Sequence, residues 1–356
     1  MSTFKGFCRD LNKQGEGVVL LENDKIAFVP GVLVGEKVSV QIIEDKKTFC
    51  YGQLVEILEA SEHRRTPPCS HQGFSSEHCG SCSWMIMNYS EQIRVKLTRF
   101  KRILENLNYN KASEASIVPS TKELEYRQVA RVQFDENGQM AYKAFRSSNT
   151  VAVNDCKVIA PRLKNAINNF EDKVSSKDFS FGEKGEIQFF KQANGEIDQK
   201  VKQWVTSLHE KKIKEPRQLL ELFCGNGNFT RVLKPFYKDL FCVENSKLAL
   251  KDLIKRGNKK ILAIRHNLYE SKLEVSSLGK NQVLFLDPPR AGYKNIAKLA
   301  ERYKFKSIIY ISCDDMTFQR DLKMLQNNYQ LKSVKAWDMF PQTPHYEMGA
   351  YLERVE

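Results

Sequence analysis

The sequence predicts an α/β protein built on a doubly wound, Rossmann-like sheet, with a small β-barrel in front of it and a central α+β segment between the two. Three stretches carry this prediction. Arg217 to Leu233 reads as strand, glycine loop and helix; Leu240 to Val243 reads as a second strand ending at Glu244; and two later apolar strands end in Asp287-Pro288-Pro289-Arg290 and in Ser312-Cys313-Asp314-Asp315. Ligands of such sheets bind outside the carboxyl ends of the strands.

Residues 1–59 read as the barrel. Val18–Leu21, Lys25–Val29, Lys37–Ile43 and Gly52–Leu58 are short strands, with Gly15-Glu16-Gly17 opening the first clear one. Turn residues (Glu22-Asn23-Asp24, Pro30-Gly31, Gly35) separate them. Small OB-like barrels of this kind often bind oligonucleotides, although this segment is not itself basic.

Pro67-Pro68 opens the central segment, 60–188. Cys69 follows, then Cys79-Gly80-Ser81-Cys82. A C-x-x-C pair with a third cysteine nearby indicates a metal site, and zinc and an iron–sulfur cluster both suit it. Cys156 is the candidate fourth thiolate, against the plain reading of a small buried hydrophobe. His71 and His78 are zinc-ligand candidates set against the commoner solvated loop histidine. Tyr89 to Leu107 has apolar residues at helical spacing with Arg94, Lys96, Arg99, Lys101 and Arg102 between them, and this helix could also pack on the last domain. Tyr126–Phe134 alternates as a strand; Met140–Phe145 and Val151–Val153 extend that sheet. Arg127, Arg131 and Arg146 are candidates for phosphate contacts.

The last domain, 189–356, begins with Phe189 to Asn194 ahead of a helix from about Ile197 to His209. Leu219 to Phe223 forms the first strand of the α/β unit. Gly225 and Gly227 let the backbone turn sharply beneath a ligand. Glu244 suits the diol of a ribose, which fits NAD and S-adenosylmethionine equally. Asp287-Pro288-Pro289 favours the methyl donor, since that segment has no evident role in a dehydrogenase. Cys313, at the end of its strand, and Glu347, in Asp338 to Glu347, suggest a nucleophile and a base. The competing readings are a core thiol and a surface charge.

Composition narrows the function class. The 356 residues allow two or three domains, and 41% hydrophobic content is ordinary for a globular chain. No apolar run approaches a membrane span, and the N-terminus lacks a signal-peptide core, so a cytoplasmic protein is expected. A formal charge of +13 favours a polyanionic partner, RNA above all. Nine cysteines without a secretion signal point to metal binding or catalysis rather than a disulfide framework.

Together these motifs resemble the RNA uracil-5-methyltransferases, in particular their iron–sulfur-containing 23S rRNA branch with a TRAM domain. The resemblance covers almost the whole chain, and Phe340-Pro341-Gln342-Thr343-Pro344-His345-Tyr346-Glu347 is its most specific part. It implies that Cys69, Cys79, Cys82 and Cys156 hold a [4Fe–4S] cluster, although the Cys69–Cys79 spacing is longer than that family's. It implies a donor site for S-adenosylmethionine at Gln192 (within Phe190 to Asn194), Phe223, Asn228, Glu244, Asn267 and Asp287, with Cys313 as nucleophile and Glu347 as base. A monomer acting on carbon-5 of a uridine in 23S rRNA is the expectation. The alternatives are a tRNA uridine methyltransferase, an exocyclic-amine methyltransferase and a non-catalytic iron–sulfur RNA-binding protein. Arg290 as the fourth residue of the tetrad Asp287-Pro288-Pro289-Arg290, where an amine enzyme would have tyrosine, argues against the amine reading.

Overall fold

The structure is a computed structural model that describes residues 3–171, 179–182, 192–214, 218–256, 261–270, 272–279 and 282–355. The chain forms two compact units. One comprises Met1–Val95, Thr121–Phe189 and Phe340–Pro344; the other comprises Lys96–Ser120, Phe190–Met339 and His345–Glu356.

The first unit opens with a closed barrel of β1 (Thr3–Leu11), β2 (Gly17–Leu21), β3 (Ile26–Val29), β4 (Lys37–Asp45) and β5 (Phe49–Glu59), in the order β1-β2-β3-β5-β4. Alternation drives it: Val19, Leu21, Ala27, Val29, Val38 and Val40 point inward and are fully or almost fully buried. The barrel begins a strand earlier than the sequence suggests. The burial of β1 alternates, but the residue types hide this: Gly6 takes an inward position and Phe7, 43% exposed, an outward one. The link after β5 is fixed by Glu36, a fully buried carboxylate. It accepts from Arg64 at 2.6 and 2.8 Å and from the amides of Leu33 and Ser61. A buried charge is tolerated when it is paired and hydrogen-bonded in this way.

Helix α1 (Tyr89–Asn106) runs as the apolar spacing predicts. The central sheet has the order β10-β7-β8-β9, from β7 (Val129–Phe134), β8 (Met140–Lys143), β9 (Thr150–Ala152) and β10 (Phe179–Gly182). The sequence predicts three of these four strands. β10 and helix α2 (Pro161–Asn168) complete the layer, burying Phe134, Leu163, Ile167 and Phe181 in one core. Tyr126 to Gln128 stand outside the strand; Tyr126 instead donates to the Pro341 carbonyl at 3.2 Å.

The second unit is an eight-stranded sheet. Its strands are β6 (Ile117–Val118), β11 (Gln218–Leu222), β12 (Asp239–Glu244), β13 (Ile261–Arg265), β14 (Gln282–Leu286), β15 (Ser307–Ser312), β16 (Tyr329–Trp337) and β17 (Glu347–Arg354). The order β13-β12-β11-β14-β15-β17-β16-β6 places the topological switch between β11 and β14. The pairs from β13 to β15 are parallel; β17 runs antiparallel to β15 and β16. Helices α3 (Gly195–Lys211), α4 (Thr230–Leu233), α5 (Lys247–Arg256), α6 (Ile296–Tyr303) and α7 (Asp315–Leu325) complete the unit. β14 and β15 are buried along their whole length, as strands covered on both faces must be. Asn194 caps α3, its side chain accepting from the Ile197 amide.

Candidate active site

The glycine loop follows β11. Phe223, at φ 58°, leaves the strand in a left-handed conformation, and Gly225 and Gly227 follow at 53° and 88°. A Cβ on Gly227 would lie 2.5 Å from Leu253 Cδ1, whereas a Cβ on Gly225 would meet nothing within 4 Å. Gly227 is therefore required for packing, and Gly225 leaves open space over the loop. Glu244, at the end of β12, accepts from the Gly225 amide at 3.2 Å and from the Ser246 amide at 2.7 Å. Its carboxylate thus braces the loop it would serve.

Phe223 packs against Tyr269 and Tyr293, each with ring centroids 5.7 Å away. Asn267 accepts from the Tyr269 amide at 3.1 Å, which ties β13's exit to that aromatic group. Asn228 donates to Asp198 on α3 at 2.9 Å, and Asp198 also pairs with Lys202 at 2.5 Å. Gln192 is half-buried ahead of α3; Phe190, the other end of its motif, lies outside the described residues. These groups fit a nucleoside-bearing donor: open backbone at a glycine loop, a carboxylate at the second strand end and flanking aromatics.

Chemistry converges at the ends of β14, β15 and β17. The antiparallel register pairs Ser312 with Met348. Cys313 and Glu347 are the next residues beyond that pair, near enough for the Glu347 carboxylate to act on the thiol. Burial raises the Cys313 thiol to about 12, the Glu347 and Asp287 carboxylates add to the rise, and Arg290 opposes it. Cys313 also directly precedes the Asp314 cap of α7, whose dipole favours a thiolate. Glu347 is held well above the ordinary carboxylate range by burial, then by Asp287 and Asp198, with Arg290 opposing. Its Oε2 is buried with no hydrogen-bond partner among the described residues. Burial and Asp198 raise Asp287 to about 7. His345 is pushed down to about 4 by burial and by Arg290, Lys96 and Arg99, so it is neutral at pH 7.

Two participants are not apparent from the sequence. Asp198 reads there as an ordinary first-turn acid of a helix, and only the fold brings it to Asn228 and the carboxylates. Glu221, inside β11, is 1% exposed and accepts from Thr230 Oγ1 at 2.6 Å, which ties the strand to α4 beneath the loop.

In the first unit, Cys69, Cys79, Cys82 and Cys156 line a single cavity together with Met85, Arg127 and Tyr142. The thiols of Cys82 and Cys156 are raised chiefly by burial and further by neighbouring cysteines, while the Val158 and Ile159 amides donate to the Cys156 sulfur. Among the described residues, no three His, Cys, Asp or Glu side chains form a group that could hold a metal ion. His71 bonds Asn154 at 2.8 Å and His78 bonds Ser75 at 2.7 Å, both outside the thiol set. Of the arginines singled out in the sequence, Arg131 is exposed. Arg127 donates to the Val129 carbonyl, and Arg146 pairs with Glu16 and lies over the Phe145 ring.

A doubly wound sheet with a glycine loop open to a nucleoside, and a thiol and a carboxylate at the carboxyl end of its parallel strands, suits a group-transfer enzyme. The comparisons with known proteins make the class specific. The tRNA (Uracil-5-)-methyltransferase profile matches residues 162–355, more than half of the chain, and the TRAM domain profile matches residues 9–55. The chain is 30% identical to an uncharacterized RNA methyltransferase of Bdellovibrio bacteriovorus over 95% of this chain and 92% of that one. It is 26% identical to the 23S rRNA (uracil(1939)-C(5))-methyltransferase of Shewanella sediminis over 92% and 91%. The crystal structure of the Pyrococcus abyssi tRNA (uracil-54, C5)-methyltransferase superposes with a TM-score of 0.70 at 20% identity, covering 98% of this chain and 99% of that one, so the two share a fold. The chain belongs to the tRNA (uracil-5-)-methyltransferase family: it is an S-adenosylmethionine-dependent RNA uracil-5-methyltransferase with a TRAM domain. Among the described residues no helix is long and apolar enough to cross a membrane.

Proposed function

We infer that the enzyme methylates carbon-5 of a uridine in 23S rRNA through a covalent cysteine–uracil adduct. The observation that carries this reading is the nearness of Cys313 and Glu347, the residues next beyond the Ser312–Met348 pair, at the carboxyl end of the parallel strands. Carbon-5 of uracil is a poor nucleophile. Addition of the Cys313 thiolate to carbon-6 forms a C–S bond and moves an electron pair into the ring, making an enolate with charge at carbon-5 and O4. The bound donor supplies an electrophilic methyl on a positively charged sulfur, and that charge favours ionised forms of Cys313 and Glu347. After methylation carbon-5 still carries its proton. Glu347 accepts it, the double bond re-forms and the thiolate leaves. A carboxylate of raised proton affinity suits removal of a proton from carbon. The uracil reaches Cys313 by leaving its stack. Gln192, Phe223, Asn228, Glu244, Asn267 and Asp287 are the residues proposed to hold the donor.

Support for 23S rRNA over tRNA comes from relatives aligned along almost the whole chain that carry that specificity in their names. Within the proposed three-part organisation (1–59, 60–188, 189–356), the first two parts would grip RNA. We also assign Cys69, Cys79, Cys82 and Cys156 to a [4Fe–4S] cluster. Four soft donors on one cavity, with amides aimed at Cys156, support that choice. A cluster is wider than one ion, so its thiolates stand further apart than a single ion's ligands. Nine cysteines outside any disulfide suit a reducing, cytoplasmic compartment, and a monomer supplies both proposed catalytic groups from one sheet.

The test is RNA carrying 5-fluorouridine. Its carbon-5 fluorine cannot leave as a proton, so methylation should stall as a stable protein–RNA adduct on a denaturing gel. The adduct should be absent with Cys313→Ala, which still binds donor. Normal turnover by Cys313→Ala, or no adduct with the parent enzyme, would sink the adduct mechanism and favour an amine methyltransferase or a non-catalytic binder.

A further inference from the structure

The second unit has a cleft of about 680 Å³ at the end of the sheet opposite the donor site. Five cations line it: Lys212 after α3, Lys214 next along, Lys304 after α6, Lys306 ahead of β15, and Arg354 at the end of β17. They come from three stretches of the chain and converge because the strands do. Lys306 donates its amide to the Gln282 carbonyl at 3.0 Å, and Arg354 donates its own to the Lys306 carbonyl at 3.1 Å. The four lysines are exposed. None of the five has an ion-pair partner among the described residues. The single carboxylate among the described lining residues is Glu353, which accepts from Tyr351 at 2.8 Å.

Five cations facing one carboxylate among the described lining residues repel one another, so such a cleft favours an anion. The donor and the reactive uridine cannot use it. β14 is five residues long, which sets the cleft about 17 Å from the strand ends at ~3.3 Å per residue. A ligand serving both ends at once must be an extended polyanion. Resting on the RNA methyltransferase reading above, we propose that this cleft is a second RNA site. It holds the phosphate backbone of the substrate rRNA at a distance from the modified uridine, contributing affinity without taking part in the chemistry.

The test neutralises Lys212, Lys304 and Lys306 together to Gln, with Lys→Arg at the same positions as the charge-retaining control. The probe is a 23S rRNA transcript, and its binding is measured without donor as a function of salt. The Gln variant should bind about tenfold more weakly at moderate salt, with a log–log salt slope smaller by roughly two to three, as expected for three lost phosphate contacts. The Arg variant should match the parent. KM for the transcript should rise while kcat at saturating RNA and the affinity for S-adenosylhomocysteine stay unchanged. Unaltered affinity and salt slope in the Gln variant would overturn the proposal, as would a fall in kcat at constant KM. Because binding is read without donor, failure to methylate uridine at all would count against the catalytic reading and not against this one.

Discussion

In the proposed mechanism Glu347 takes a proton from carbon-5, and its surroundings suit that role. It is buried, its Oε2 has no hydrogen-bond partner among the described residues, and two further carboxylates raise its proton affinity. Glu347→Gln keeps the size and removes the acceptor. Methyl transfer should then proceed while release fails, so a covalent protein–RNA species should accumulate with ordinary RNA. Normal multiple turnover in this variant would assign the base elsewhere. Glu221 is a buried carboxyl with a different consequence. Burial raises it from 4.5 to about 7. At low pH both folded and unfolded chains hold its proton and it has no pH-dependent effect. As pH rises past 4.5 the unfolded chain ionises first, so stability falls until about 7 and is level above. That loss is on the order of 3 kcal/mol at most. Glu221→Gln retains an acceptor for Thr230 and removes the titration. Denaturant midpoints should therefore diverge in favour of the variant between pH 4.5 and 7. A constant difference across that window would show that Glu221 does not titrate there.

Among elements, the loop between β11 and α4 separates two roles of glycine. Gly227→Ala forces a Cβ against Leu253 at φ 88° and should lower stability by about 1–3 kcal/mol. Gly225→Ala meets no atoms and should cost only about 1 kcal/mol, yet it fills the open space over the loop and should weaken donor binding. Thermal melts and S-adenosylhomocysteine titrations of both variants check this; equal donor affinity in Gly225→Ala and the parent would move the donor off the loop. The sequence makes this loop legible because a glycine pattern after an apolar run is local information. β14 and β15, continuous apolar runs with motifs at their ends, are legible for the same reason. β17 is not: Glu347–Arg354 contains Gly349 and Ala350, which carry little strand preference, and its place between β15 and β16 is fixed by pairing with distant residues. The motif around Glu347 was therefore readable, and the strand that aims it was not. Asp198 was unreadable for the same reason, since its meaning lies in a contact 30 residues away.

At the scale of the whole molecule, the four-cysteine cavity belongs to one unit and the residues proposed to bind the donor and to catalyse belong to the other. The core beside the cavity is made chiefly of β7, β8, β10 and α2 side chains, with Cys79 and Cys156 packed against it. No electron enters or leaves in the methyl transfer described above, so a cluster there would act on structure. It would tie the loop after Pro68 to the residues following β9 and hold the surface around Arg131 in shape for RNA. Cys156→Ser should then lose iron, measured by elemental analysis after anaerobic purification, and bind the rRNA transcript more weakly. Its affinity for S-adenosylhomocysteine should change little, because the glycine loop, Glu244 and Asp287 lie in the other unit. Stoichiometric zinc without iron in the parent protein would reject the cluster and leave a zinc site. Loss of donor affinity to the same degree as RNA affinity would show that the cavity supports the fold of the entire chain rather than its RNA-binding unit.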